Sequence, residues 1–390
     1  MKLKQGCLIC SDYGLNISAE EYTSEGVPII RTSDMNNSGA LDLSNTKYVD
    51  PHVVGTKRLS KGDILFSRSG TIGRAMVFDA DLDATYAAYL VRFRPHPKRL
   101  IPKFIGYWAQ SAEYWQQICM DTIQSTIGNF NANKFANLSI PEHDLATQCQ
   151  IVDLLDHKTA QIDALIEKNE RLISLVQEKQ DSFLSTFFNK ESGMISLKRL
   201  AQGPLASGLG LAADQDDPEN PRYIRTTDIA TPWSLKNDTF MSFPKEIASK
   251  APLVKNDVVF ASAGTVGKSY IHKIDGDFCY AGFLVRFRAS KACCPDYVLL
   301  WSLSQNFRDQ VEVNSVKSTI SNLSAGRYAN LKIPHRSLEE QKRVVDIISP
   351  EIKKMNLLVD KVRKMNSLLR EKRSALITAA VTGQIDIPEE

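Results

Sequence analysis

Between residues 144 and 188, apolar side chains return every three or four positions, and neither Gly nor Pro interrupts them. Ile151, Leu155, Ile162, Leu165, Leu172, Val176 and Phe183 share one face at heptad spacing, with Lys158, Asn169 and Lys179 breaking it. A 3.5-residue repeat marks a helix that packs along a partner helix. The stretch of about 43 residues predicts a rod of roughly 64 Å at 1.5 Å per residue. The partner is in the same chain. Adding 193 to each position gives Val344, Ile348, Glu351, Met355, Leu358, Val362, Met365, Leu369, Lys372 and Leu376, a seam as apolar as the first. The pattern predicts two long helices of one design, one central and one C-terminal, packed on each other. Packing of each against another subunit is the alternative.

The repeat extends beyond the helices. Ile30–Thr32 returns at Ile224–Thr226 and Leu90–Arg94 at Leu284–Arg288, each 194 residues on. Ser125–Ile127 returns at Ser318–Ile320, and Ala136–Pro141 returns with one change at Ala329–Pro334, each 193 residues on. The chain therefore reads as a duplicated unit of globular domain plus long helix. Each globular half reads as α+β. PIIRTSDM and RYIRTTDI open with β-prone residues. GDILFSRSGTIGRAMVF holds two apolar runs about a Gly-Thr-Ile-Gly turn, which suggests a hairpin. TYAAYLVRFRP and CYAGFLVRFRA read as buried strands ending in arginines, and KFIGYWAQSAEYWQQI and DYVLLWSLSQNFRDQV have helical spacing. Ser337-x-x-Glu340 is a capping box, Asp144 caps the first long helix with Thr147 where Glu would close the box, and Gly383 suits a left-handed stop. The expected boundaries are a first domain at 1–143, a helix at 144–190, a second domain at 191–336, a helix at 337–384 and a tail at 385–390.

At 390 residues, with 43% hydrophobic and 24% charged residues, the composition is that of an ordinary multi-domain globular protein. No apolar run is long enough for a membrane helix, and the N-terminus has no adequate signal-peptide core, so a cytoplasmic protein without membrane association is expected. Seven Cys at irregular positions fit a reducing compartment. A net charge of +3 does not by itself select nucleic acid as a partner.

Catalytic signatures are weak throughout. Gly70–Gly73 and Gly264–Gly267 lack the spacing of a phosphate loop, so tight turns and DNA-contacting loops remain the two readings. Cys7-x-x-Cys10 has no second ligand pair, so no metal site is expected. Asn220-Pro221-Arg222-Tyr223 departs from the Asn-Pro-Pro-Tyr signature of amino-group DNA methyltransferases, and reads better as the start of a strand. The two copies differ most in polar loops. Arg68-Ser69 faces Ser262-Ala263, Arg74 faces Lys268, and Asn129–Lys134 faces Asn322–Arg327. Side chains of this kind reach base edges and phosphates. Neutral drift of surface loops is the bland alternative. Arg92, Arg94, Arg286 and Arg288 read equally as phosphate clamps or as partners of domain carboxylates. Trp108, Trp115 and Trp301 read as core before they read as partner surface.

GDILFSRSGTIGR, IPEHDLATQCQIVDLLD, IPHRSLEEQKRVVDIIS and REKRSALITAAVTGQIDI together resemble the specificity (S) subunit of type I restriction-modification systems, over essentially the whole chain. The second copy departs with GTVG, the first helix starts with Thr147-Gln148 where Glu-Gln is usual, and it ends in FLSTFFNKESG. The resemblance implies two homologous α/β target recognition domains separated by two long antiparallel coiled-coil-like helices, with a pseudo-two-fold internal repeat. It implies a non-catalytic subunit that reads a bipartite target in double-stranded DNA, needs no cofactor of its own, docks two methyltransferase subunits on its helices, and joins restriction endonuclease-translocase subunits. Because the loops differ, the expected target is asymmetric. The expected DNA contacts are Arg31, Arg68, Ser69, Thr71, Arg74, Asn129, Asn131, Asn133 and Lys134 in the first copy, and Arg225, Ser262, Thr265, Lys268, Ser321, Asn322 and Arg327 in the second. Two other classes stay open: a coiled-coil scaffold without DNA readout, and a DNA methyltransferase fused to its reader, for which two copies of about 190 residues leave no room.

Overall fold

The computed structural model describes residues 1–36, 39–123, 130–189, 193–212, 216–315 and 322–385. The chain forms two compact units, Met1–Asn169 with Arg363–Glu390, and Glu170–Val362. In the first unit the strands are β1 (Cys7–Tyr13), β2 (Val27–Ile30), β3 (Lys47–Val49), β4 (Asp63–Ser67), β5 (Ala75–Phe78), β6 (Thr85–Tyr86) and β7 (Leu90–Pro95). One sheet has the order β1-β7-β4-β5 and is antiparallel. A smaller sheet has the order β3-β2-β6, with β2 parallel to β6.

The central strands β4 and β7 of the four-stranded sheet are buried on both faces, and strand alternation sorts the sheet's side chains between two cores. Ile64, Phe66, Val91 and Phe93 pack against the helices, whereas Leu65, Met76, Phe78 and Leu90 pack with Ile30 and Tyr86 of the small sheet. The helices on the first face are α1 (Pro102–Trp108), α2 (Ala112–Ile123) and α3 (Ala132–Ala136). Phe66 stacks 5.0 Å from Phe135 and 6.2 Å from Tyr114. This core closes on Ile151, Val152 and Leu155 of the long helix α4 (Leu145–Phe188), and on Ile377, Ala380 and Val381 near the chain's end.

The second unit repeats the plan. Its principal strands are β8 (Ala206–Ser207), β9 (Arg222–Ile224), β10 (Pro252–Leu253), β11 (Val258–Ala261), β12 (Ser269–Ile271), β13 (Phe278–Tyr280) and β14 (Leu284–Phe287). The sheet orders are β12-β11-β14-β8 and β9-β13-β10, with β9 parallel to β13. Helices α5 (Pro295–Ser302), α6 (Gln305–Asn314) and α7 (Ala325–Asn330) cover it. Phe260 takes the place of Phe66, 5.2 Å from Tyr328 and 5.8 Å from Phe307. The core closes on Leu184 and Phe188 of α4, and on Val344, Ile348 and Ile352 of α8 (Leu338–Val381). The start of one long helix and the end of the other meet in each unit, so the pair is antiparallel. Trp108 and Trp301 are fully buried core residues, whereas Trp115 is 40% exposed.

Both long helices start on caps that the sequence specifies. Asp144 accepts the Thr147 amide at 2.7 Å, and Ser337 with Glu340 forms the capping box. Gly383 adopts φ +72° just beyond α8. One turn into each helix a buried glutamine bolts it to its domain. The Gln148 carboxamide accepts the Ile101 amide at 2.9 Å and donates to the Arg99 and His143 carbonyls. Gln341, 193 residues on, accepts from the Cys294 amide at 2.8 Å and donates to the Ala292 and Arg336 carbonyls.

The helix seam differs from the expected one at alternate positions. Ile151, Leu155 and Ile162 are buried as expected, but Leu165 and Leu172 are 42% and 39% exposed. Thr159 and Asn169 are buried, and Ile166, Ile173, Val176 and Gln180 are half-buried, so the seam steps +4 from Leu155 rather than +3. In α8, Val344, Ile348 and Val362 are buried and Met355 and Leu369 half-buried, but Leu358 is 41% exposed and Val359 takes its place. Part of the physical reason is that the seam takes the polar Thr159, satisfied there, in place of Lys158; Asn169, already on the expected seam, is satisfied as well. The Thr159 hydroxyl donates to the Leu155 carbonyl at 2.6 Å, and the Asn169 side-chain amide donates to the Asn366 side-chain oxygen at 2.7 Å. Apolarity alone favoured the neighbouring leucines. Among the described residues, no helix is long and apolar enough to cross a membrane.

Candidate nucleic-acid interface

The Gly-x-x-Gly stretches are hairpin tips, joining β4 to β5 and β11 to β12. Gly70 and Gly73 have φ of +71° and +83°, and Gly264 and Gly267 have +72° and +87°. These left-handed conformations favour glycine over any residue with a Cβ. The closing bonds repeat as well: Ser67 amide to Arg74 carbonyl at 2.8 Å, Gly73 amide to Ser67 carbonyl at 2.9 Å, and the same pair from Ala261 and Gly267 at 2.8 and 3.1 Å. The amides of Gly73 and Gly267 are thus used inside the turn and are not offered to a phosphate.

The fold joins each tip to the second polar stretch. In the first unit the Phe130 amide donates to the Arg68 carbonyl at 3.1 Å, and the Ala132 amide donates to the Tyr13 hydroxyl at 3.0 Å. The Arg68 guanidinium lies over the Tyr13 ring, 4.9 Å from its centroid. Asn131 caps α3 by accepting the Lys134 amide at 2.9 Å, and the Lys134 ammonium stands 5.5 Å from the Phe130 ring. In the second unit the Leu323 amide donates to the Ser262 carbonyl at 2.9 Å, and Ala263 and Asn322 form a β-bridge. Thr71, Asn131, Asn133, Thr265, Asn322 and Arg327 are exposed, and Arg68, Ser69 and Lys134 are half-buried. Arg327 donates to the Asn314 carbonyl at 2.7 Å. Asn129 and Ser321 lie outside the described residues.

Several expected contacts are directed inward. Arg31 forms two bonds to Asp34 at 3.1 and 2.7 Å, and Arg225 does the same with Asp228 at 3.0 and 2.8 Å. Arg74 donates to the Met35 carbonyl at 2.8 Å, and Lys268 to the equivalent Ile229 carbonyl at 2.7 Å. Burial, helped by Lys236, pushes the Lys268 ammonium below the ordinary lysine range. Ser262 is buried, with its backbone bonded on both sides. The strand arginines face domain acids: Arg92 pairs with Asp12 at 2.5 Å, Arg94 with Asp63 at 2.6 Å, and Arg288 with Asp257 at 2.7 Å. Arg286 instead donates to the Pro252 carbonyl at 3.0 Å. Arg222 lies in β9, where its guanidinium donates to the Lys236 and Thr239 carbonyls, so Asn220–Tyr223 is the start of a strand. Cys7 and Cys10 lie on β1, and among the described residues no group of three or more His, Cys, Asp or Glu is placed to hold a metal ion.

The surface also holds residues the sequence reading passed over. TYAAYLVRFRP is not one strand. A turn at Ala88–Tyr89 separates β6 from β7, and the Leu90 amide donates to the Ala87 carbonyl at 2.9 Å. Tyr89 on this turn is 63% exposed, and Phe283 on the equivalent turn is 66% exposed. The available signal was an aromatic kept at one position of the repeat, immediately before identical LVRFR runs; the unbroken apolar character of the stretch concealed it. The copies also differ in support. Trp115 packs against Gly73 in the first unit, where a Cβ on that glycine would meet its ring at 3.1 Å. Arg308 stands at the matching place in the second and pairs with Asp181 at 2.5 Å, beside a cleft of about 780 Å³ lined by the loop Gly264–Ser269.

A family model described as the type I restriction modification DNA specificity domain matches residues 10–174 and 215–363. The chain is 22% identical over 354 residues to the EcoKI specificity subunit of Escherichia coli (strain K12), covering 81% of this chain and 72% of that one. It is 23% identical over 205 residues to the EcoBI specificity subunit of Escherichia coli, and 23% over 188 residues to the StySPI specificity subunit of Salmonella potsdam. It spans 42% and 39% of the length of those two relatives. Among solved structures, a chain from a study of complex assembly and conformational transition of the type I R-M system aligns with a TM-score of 0.75 at 14% identity, over 99% of this chain and 97% of that one. The HsdS subunit of Thermoanaerobacter tengcongensis aligns with a TM-score of 0.52 at 14% identity, over 99% and 96%. Both show a shared fold.

Proposed function

The chain belongs to the type I restriction-modification DNA specificity family, and from that premise we propose that it is the non-catalytic reader of a restriction-modification assembly. Each unit reads one half of a split, asymmetric target in double-stranded DNA. The observation that carries this reading is the pairing of each rigid hairpin tip with a second polar stretch, on one scaffold in both units but with different side chains. In the first unit the face comprises Arg68, Ser69, Thr71, Asn131, Asn133 and Lys134. In the second it comprises Thr265, Asn322 and Arg327. Lysine, arginine and asparagine at such tips supply both phosphate attraction and base-edge hydrogen bonds. Arg74 and Lys268 are positioning residues that brace the tips through the Met35 and Ile229 carbonyls, and Arg31 and Arg225 brace their own turns through Asp34 and Asp228.

The long helices set the unread gap between half-sites. Their exposed apolar side chains, Leu165 and Leu368 in the first unit and Leu172, Leu175, Ile347 and Leu357 in the second, supply surfaces for two methyltransferase subunits. Restriction endonuclease-translocase subunits join that core, and catalysis resides in the partners.

Footprinting of the purified assembly with its methyltransferase subunits tests the reading. Two protected segments of different sequence, separated by an indifferent gap, with affinity falling steeply with salt, are expected. Stable binding of the protein partners without salt-sensitive DNA binding contradicts it and leaves an assembly scaffold.

A further inference from the structure

The two exposed turns before the LVRFR strands are built alike down to individual backbone bonds. The Ala87 amide donates to the Ile30 carbonyl at 2.9 Å, and the Ala281 amide to the Ile224 carbonyl at 2.9 Å. The Ala88 amide donates to Leu15 at 2.7 Å, and the Gly282 amide to Leu209 at 2.6 Å. The aromatic residue's own carbonyl then accepts the first amide of the hairpin tip: Arg68 to Tyr89 at 3.0 Å, and Ser262 to Phe283 at 2.8 Å. The chain before each small sheet presses against the turn so closely that a Cβ on Gly14 would lie 2.2 Å from the Tyr86 carbonyl oxygen, and one on Gly208 would lie 2.0 Å from that of Tyr280. Leu90 and Leu284, next in sequence, are fully buried. Each turn is therefore fixed on several sides while its aromatic ring projects into solvent.

An exposed ring on a well-tied turn has little conformational entropy left to lose on contact, and a large apolar area to bury. Around it the copies diverge. Tyr13 and Arg68 of the first unit correspond to Ser207 and Ser262 of the second, and Ala88 corresponds to Gly282. The aromatic character is common to both, the phenolic hydroxyl is not. Phe283 has no hydrogen-bonding side chain, so its contact is apolar. In the major groove the apolar feature of a base pair is the thymine methyl group. The turn is tied through its backbone to the tip assigned above to DNA, and in the first unit the residue so bonded is the cationic Arg68, which suits a polyanion better than an apolar protein face.

We propose that Tyr89 and Phe283 are specificity-determining DNA contacts, one per half-site, each packing its ring against a thymine methyl. This rests on the assignment of the two units as DNA readers. The hairpin tips supply hydrogen bonds, and the aromatic turns add a large apolar contact beside them.

The test uses the assembly with its methyltransferase subunits, and duplexes in which each thymine of the target is replaced in turn by deoxyuridine, which lacks the methyl group. The wild-type assembly should lose about fourfold in affinity at one position in each half-site, the worth of one buried methyl. Tyr89→Ala should lose about tenfold on intact target and be indifferent to that substitution in its own half-site only. Phe283→Ala should do the same for the other half, and Tyr89→Phe should retain the methyl response. Affinity within twofold of wild type for both alanine variants overturns the proposal, as does uniform weakening on target and non-target duplex alike. Loss of the methyltransferase subunits from the variant assemblies also overturns it, because the rings then belong to a protein interface. A wild-type assembly with no split target at all refutes the underlying reading instead.

Discussion

Burial makes His272 a residue sensitive to acid. It is fully buried, and its Nδ1 lies 3.1 Å from the Tyr270 hydroxyl. Burial pulls its pKa down from 6.5 to about 4, against the opposing pull of Asp257 and Asp275. Because the folded value lies below the unfolded one, the unfolded chain binds the extra proton first. Stability of the second unit should therefore fall as pH drops from about 6.5 towards 4. Thermal melts across this window should show a decline that His272→Phe reduces; an unchanged slope in that variant contradicts the assignment. Arg68 poses a different question, because its side chain rests on Tyr13 at the edge of the candidate interface. Arg68→Ala should relax sequence choice in one half-site, with a cost of about 1–3 kcal/mol where a bidentate base contact is lost. Equal weakening on every sequence would mark a phosphate contact. At this scale the sequence revealed which residues stand in the variable loops. It did not reveal that Arg31, Arg74, Arg225 and Lys268 have internal acceptors, because those acceptors are backbone carbonyls or a carboxylate whose geometry only the folded turn sets.

The elements were the most legible part. Periodicity found both long helices, local chemistry found their caps, and the Gly-x-x-Gly hairpins read correctly as strand-turn-strand. The seam was misplaced because Thr159 looks like an interruption until its hydrogen bond is known, and because Leu165 and Leu172 are as apolar as their neighbours Ile166 and Ile173. The Asn169–Asn366 pair has an apolar counterpart: by the 193-residue offset, Asn169 matches Val362 and Asn366 matches Ile173. A buried amide pair at one side of a heptad seam fixes register at some expense of stability. Asn169→Val alone should destabilise by about 1–3 kcal/mol by stranding the other amide, whereas Asn169→Val with Asn366→Ile should recover most of that loss in denaturant melts. Additive losses would contradict the pairing. The glutamine bolts give a parallel expectation. Gln148→Ala or Gln341→Ala strands a buried amide and carbonyls, at a cost of about 1–3 kcal/mol. A Tm unchanged in either variant contradicts that role.

For the whole molecule, duplication was legible because a register of 193–194 residues survives in short runs from Ile30 to Pro334. What the linear sequence hid is how each copy is completed. Each globular domain closes its core on the start of one long helix and the end of the other, so neither copy is a self-contained stretch of chain. The same duplication is the basis of the functional reading, since two like scaffolds with unlike tips suit two unlike half-sites. The most direct measurement is methylome sequencing of cells carrying the chain with its methyltransferase subunit, repeated after the tip 68–74 is exchanged for the tip 262–268. The account predicts one split motif, with only one half altered by the exchange. A motif that is unchanged, or a palindrome whose halves change together, would contradict it.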